Sequence, residues 1–144
     1  MYKFFLTVFV LSALLHLQLF SQSNYLKGYV LKTETDTLYG EIENNSYYNN
    51  SKYCDFIDEQ GSELRFYPKD IYGYQFINGK HYISKTISFN NDNRITVFCE
   101  YLIKGRLDIY FYQDEKLTNY YFAAKDTLPL EELKYYKEVF HQEG

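Results

Sequence analysis

The stretch from Tyr67 to Ser84, YPKDIYGYQFINGKHYIS, puts a proline, two glycines and a row of aromatics into one short span. Asn78-Gly79 is a strong two-residue hairpin signal, because both residue types tolerate the positive φ of a type I′ turn. Pairing across that turn sets Phe76 against His81, Tyr74 against Ile83 and Tyr72 against Lys85, and Ile87 and Phe89 extend the same side. The other side carries Gly73, Gln75, Lys80, Ser84, Thr86 and Ser88, with Ile77 and Tyr82 as exceptions. The expectation is a hairpin with one core face and one wet face. Tyr82, diagonal to Gly73, covers bare backbone on the wet side. Pro68 ends the strand before it, since proline has no N–H to give a ladder.

The same pattern extends in both directions. Asn24 to Asn44 reads as a hairpin with its turn in Thr33 to Asp36, and NNSYYNNS then interrupts it as a polar loop. SKYCDFID and SELRFYP form a second hairpin closed around Glu59 to Gly61. RITVFCEYLIKGRLDIYFYQ places Ile95, Val97, Cys99, Tyr101 and Ile103 on one side of a long strand. Burial favours the connection that aligns Leu107, Ile109 and Phe111 with that apolar side, leaving Tyr110 and Tyr112 outward. A further strand follows in LTNYYFAA. The tail changes period: Leu130, Leu133, Tyr136 and Phe140, with Val139 beside them, recur at helical spacing behind Pro129. The expected fold is mainly β, an antiparallel meander of hairpins forming a rolled sheet or open barrel, with one short C-terminal α-helix.

The N-terminus carries one charge, Lys3, then an apolar run from Phe4 to Leu15 and a segment ending in small and polar residues. That is the layout of a secretory signal peptide, residues 1–21, with cleavage after Ser21. An uncleaved anchor is the rival reading, but the run is short for a bilayer and His16 and Gln18 interrupt it. Residues 22–144 then form a single exported β-rich domain with no stable membrane insertion. The formal charge of −4 becomes more negative once Lys3 leaves, which disfavours nucleic acid and anionic membrane surfaces.

Export makes an oxidising compartment available to Cys54 and Cys99. A disulfide between them is one reading and two buried thiols the other, which small hydrophobic cysteines favour. There is no CxxC, and His81 and His141 are far apart, so no metal or cofactor is expected. The segment NNDNR, Asn90 to Arg94, lacks the spacing of a calcium loop and reads as a polar turn.

GYVLKTETDTLYGEI, YPKDIYGYQF with HYIS after it, YLIKGRLDIY and YYF together resemble a group of secreted, uncharacterised β-rich proteins of Bacteroidota. Members show a Gly-Asp-Thr-Leu/Ile turn followed by x-Gly-x-Ile, then Pro-x-Asp-Ile-x-Gly-Tyr. This chain has Thr35 where the first glycine is expected. The resemblance implies a secreted protein, periplasmic or associated with the outer membrane, and transfers no catalytic residues. Asp-Thr-Leu occurs at Asp36 to Leu38 and at Asp126 to Leu128, and resembles the O-glycosylation acceptor of Bacteroidota envelopes, which makes Thr37 and Thr127 candidate acceptors.

No Gly-x-Ser-x-Gly or His-Glu-x-x-His is present, so a non-enzymatic role is expected. The single acids Asp55, Asp58, Glu63, Asp70, Glu100 and Asp108 read as solvated partners of basic residues. The expected function is an envelope protein that acts as a protein-interaction or structural component, its partner an unknown envelope protein. The alternative is glycan binding through exposed tyrosines, Tyr47, Tyr48, Tyr82, Tyr110, Tyr112 and Tyr120, whose rings offer apolar faces with a polar tip.

Overall fold

The computed structural model describes residues 24–89, 93–125 and 128–134. Ten strands form one antiparallel sheet: β1 (Tyr25–Leu31), β2 (Thr37–Glu43), β3 (Cys54–Asp58), β4 (Glu63–Phe66), β5 (Gly73–Phe76), β6 (His81–Phe89), β7 (Asn93–Ile103), β8 (Asp108–Gln113), β9 (Asn119–Ala124) and β10 (Glu131–Glu132). The strand order is β10-β9-β8-β7-β6-β5-β1-β2-β3-β4, so the sheet is open, with β10 and β4 at its edges. Every pairing is antiparallel, and the hairpins read from Asn24–Asn44, from SKYCDFID with SELRFYP and from Arg94–Gln113 are all present.

The register at Asn78-Gly79 differs from the expected one. Asn78 alone takes the left-handed conformation, with φ of 58°, while Gly79 donates to the Phe76 carbonyl at 2.9 Å and Phe76 donates to that of Lys80 at 3.0 Å. The loop is longer than two residues, and Tyr74 faces Tyr82 with Gly73 facing Ile83. Because side chains alternate with a period of two, this slip of one residue moves Tyr82 from the wet side to the side of Tyr74.

Its consequence is a sheet with two cores, one on each face. Val30, Ile42, Cys54, Phe56, Ile71, Tyr74, Phe76, Tyr82 and Phe98 form the first. Ile83, Ile87, Val97, Cys99, Tyr110, Tyr112, Phe122 and Ala124 form the second. The cores meet back to back at β6 and β7, where the neighbours Tyr82 and Ile83 are both buried, as are Val97, Phe98 and Cys99 in succession. Strands covered on both faces lose the polar/apolar alternation that a half-exposed strand shows.

Gly28 and Gly40 face each other across β1 and β2. A Cβ at Gly40 would lie 2.1 Å from the Ile57 carbonyl oxygen and 2.5 Å from Phe56 Cζ, so the glycine lets the Phe56 ring close over the strand pair.

Among the described residues the one helix, α1 (Tyr47–Lys52), lies in the asparagine-rich segment read as a loop. The Ser46 side chain caps it, accepting from the Asn49 N–H at 3.3 Å. Asn50 is buried and anchors the helix. Its Oδ1 accepts from Asn45 N at 3.2 Å, its amide donates to Asn45 O at 3.1 Å, and its own carbonyl accepts from Tyr74 Oη at 2.6 Å. At the C-terminus, Glu131–Glu132 pair with Phe122 and Ala123 as a strand where the sequence pattern suggested the start of a helix. Ladder hydrogen bonds to β9 outweigh the helical spacing of Leu130 and Leu133; Tyr136, Val139 and Phe140 lie outside the described residues.

Candidate interaction surface

The β7–β8 hairpin decides which apolar residues face outward. Tyr101 pairs with Tyr110, but Ile103 pairs with Ile109, so an irregularity at Leu102 breaks the register. Such a bulge inserts one unpaired residue and reverses the side on which later residues project. Tyr110 and Tyr112 therefore join Cys99 and Tyr101 in the second core, while Ile103, Ile109 and Phe111 take the opposite face. This corrects the expected register. Two tyrosines with ring faces to bury displace the aliphatic set, and Tyr101 and Tyr110 stack at 5.0 Å and 17°.

The opposite face is continued by Tyr121, which pairs with Phe111, and by Leu133, whose N–H donates to the Tyr121 carbonyl at 2.8 Å. From α1, Tyr47 sets its ring edge-on against Phe111, with centroids 5.3 Å apart, and Phe111 lies 5.4 Å from Tyr121. Lys80 Nζ sits 3.5 Å over the Tyr47 ring, a cation–π contact at the rim. The amides of Gln113 and Asn119 bond each other at 3.0 Å at another border. Ile103 and Leu133 are 57% and 50% exposed and Tyr47 and Tyr121 are exposed as well, while Phe111 between them is half-buried, so this is a strip of apolar side chains partly open to solvent with a polar rim.

The six tyrosines expected to be exposed do not form one site. Tyr82 is only 1% exposed and stacks on Tyr74 at 4.8 Å, and Tyr110 and Tyr112 are buried too. Burial pushes the Tyr112 hydroxyl up to about 12 and those of Tyr82 and Tyr110 higher still. Tyr48 and Tyr120 are half-buried and hydrogen-bond to Glu115 and Asp114. Of the six, Tyr47 alone belongs to the exposed strip. The apolar residues around it were missed because the outward set is chosen by the bulge, which no local signal marks.

Cys54 and Cys99 are free and buried, one in each core, on strands separated in the sheet by β6, β5, β1 and β2. The bridge between them does not form because a disulfide needs Cβ atoms about 4 Å apart. Burial raises both thiols, Cys99 to about 12. Thr37 is exposed at the start of β2, and Thr127 lies outside the described residues.

The candidate acids are scattered. Asp55 holds Arg65 in a two-point ion pair, Asp70 accepts from Tyr67 N, and Asp108 accepts from Tyr101 Oη at 2.8 Å. Asp58 accepts from Gln60 and Ser62 N–H groups, and Ser62 foremost among them holds its carboxyl below the usual range. Burial raises Glu100, with Lys80 opposing. Glu63 is exposed on β4. No three His, Cys, Asp or Glu side chains among the described residues are grouped to hold a metal. On the outer face of β1 to β3, Lys27, Tyr39, Glu41, Ile57, Asp58 and Ile77 line an open groove of about 630 Å3. No helix among the described residues is long and apolar enough to cross a membrane.

No protein-family model matches the chain, and no curated protein or solved structure does either.

Proposed function

We propose that this chain is an exported, non-enzymatic component of a Gram-negative cell envelope that works by binding another protein. Export rests on residues 1–21 and on the resemblance to secreted Bacteroidota proteins. The carrying observation for the binding role is the strip of exposed Tyr47, Ile103, Tyr121 and Leu133 around the half-buried Phe111. Contiguous apolar surface with a polar rim, rich in tyrosine and phenylalanine, is the composition of a protein interface core. A crosslinked pull-down from the native envelope with the tagged protein tests it. A stoichiometric partner recovered by the wild type and lost from a folded Phe111→Ser/Tyr121→Ser variant is expected; equal recovery by both would sink the reading.

The second reading is glycan binding, and the groove beside Tyr39 supports it, since an exposed tyrosine ring there lies among Lys27, Glu41 and Asp58. It predicts retention on a glycan array that Tyr39→Ala abolishes and Phe111→Ser does not.

A further inference from the structure

The edge strand β4 lies at the far end of the sheet from the proposed interface, and its chemistry is independent of that interface. β4 pairs with β3 on one side and with no strand among the described residues on the other. Asp58 N donates to Ser62 O at 3.1 Å, which fixes which residues of the hairpin point their backbone groups inward. Alternation gives Leu64 and Phe66 to β3 and leaves the N–H and C=O groups of Glu63 and Arg65 pointing out from the edge. Those four groups are a template for another strand.

The side chains state which strand fits. Glu63 and Arg65 stand two positions apart with opposite charge, and Leu64 between them is 40% exposed. In an antiparallel pair centred on Leu64, Glu63 of each chain falls opposite Arg65 of the other, and the two Leu64 residues face each other. Backbone geometry selects the same register: Glu63 and Arg65 carry the outward groups and so form the hydrogen-bonded pairs, and the leucines meet at the close, non-hydrogen-bonded pair. Unlike charges directly opposite stabilise a strand pair. Arg65 is prepared for this. Asp55 holds its Nε and one terminal nitrogen at 2.6 and 2.7 Å, and Tyr53 lies under the guanidinium at 4.2 Å, leaving further N–H donors for a second carboxylate. The other edge lacks this match, because Glu131 and Glu132 of β10 would meet their own like charges.

We infer that β4 is a homodimerisation edge: two copies of this chain join their sheets through β4, antiparallel about Leu64, with reciprocal Glu63–Arg65 pairs. A four-residue seam is small, so the dissociation constant is expected in the range of roughly 10–100 μM.

Sedimentation equilibrium of the full chain, expressed and purified, up to several hundred micromolar tests this. The wild type should reach the mass of a dimer. Glu63→Arg and Arg65→Glu each place like charges opposite, and each should raise the dissociation constant about ten-fold or more. An equimolar mixture of the two variants should recover association as a heterodimer, which a merely structural role for either residue would not produce. Should Arg65→Glu fail to fold beside Asp55, Glu63→Pro replaces it: its N–H points outward, so proline there removes an edge donor and nothing from the β3 ladder, with the same loss expected. A wild type that stays monomeric throughout overturns the inference. So does a dimer indifferent to these substitutions, or an edge that takes up an extended peptide of another protein while the chain alone remains a monomer.

Discussion

Asp58 and Asp114 close two hairpins in the same way. Asp58 Oδ1 accepts from Gln60 and Ser62 N–H groups at 2.9 and 2.8 Å, and Asp114 Oδ1 accepts from Lys116 and Thr118 at the same distances. Both loops need a left-handed residue at the fourth position. Gly61 supplies it with φ of 84°, whereas Leu117 does so at 63° while 71% exposed. A leucine in that region is strained and gains no burial in return. Leu117→Gly should therefore stabilise the fold by about 0.5–1 kcal/mol, the relieved strain less the extra chain entropy of glycine, as measured by chemical denaturation. His81 sets a pH dependence. Its Nε2 is buried without a hydrogen-bond partner, its ring lies 5.6 Å from Tyr101, and burial lowers its pKa from 6.5. The unfolded chain then takes up the proton first, so stability is full above about pH 6.5 and falls as pH drops towards the folded value. Glu100, raised by burial, works in the opposite sense above 4.5, and the lowered Asp58 and Asp114 lose their contribution only below 3.8. Denaturation midpoints at pH 7.5 and 5.5 should differ for the wild type and differ less for His81→Phe; equal slopes would refute the assignment.

At the scale of elements, strand identity was legible and strand register was not. Short runs rich in aromatic or aliphatic residues mark β1 to β9, and turn residues mark most of their ends. Register is decided by contacts between elements. The loop after Phe76 takes its longer form because Tyr74 then stacks on Tyr82, and Asn50 of α1 accepts the Tyr74 hydroxyl through its carbonyl. That helix is six residues of low helix propensity, visible in the sequence only through Ser46 as a cap, and it forms because Asn50 finds buried partners. The β1–β2–β3 unit depends on close approach at a single point. Gly40→Ala would push a methyl group into the Ile57 carbonyl and the Phe56 ring, and should cost on the order of 1–3 kcal/mol. A thermal melt unchanged from the wild type would show that the strands yield there.

Across the whole molecule, the two cores share β6 and β7 but no cysteine pair. Both thiols should resist a charged disulfide reagent in the folded protein and react on unfolding, because the thiolate is the reactive form and burial suppresses it. Fast labelling of either under native conditions would contradict the placement of Cys54 and Cys99. The outward strip and the β4 edge are likewise properties of the whole sheet, since each is left open by the order of the strands. An antiparallel β protein, its hairpin boundaries and nearly all of its strands were legible in the order of residues, because turn chemistry and a period of two are local properties. Packing between distant segments settled the two-sided core, the burial of Tyr82, Tyr110 and Tyr112, the separation of the cysteines and the outward placement of Phe111 and Tyr121. A slip or bulge of one residue costs little locally yet turns every following side chain to the other face, and contacts with distant elements are what select between the two.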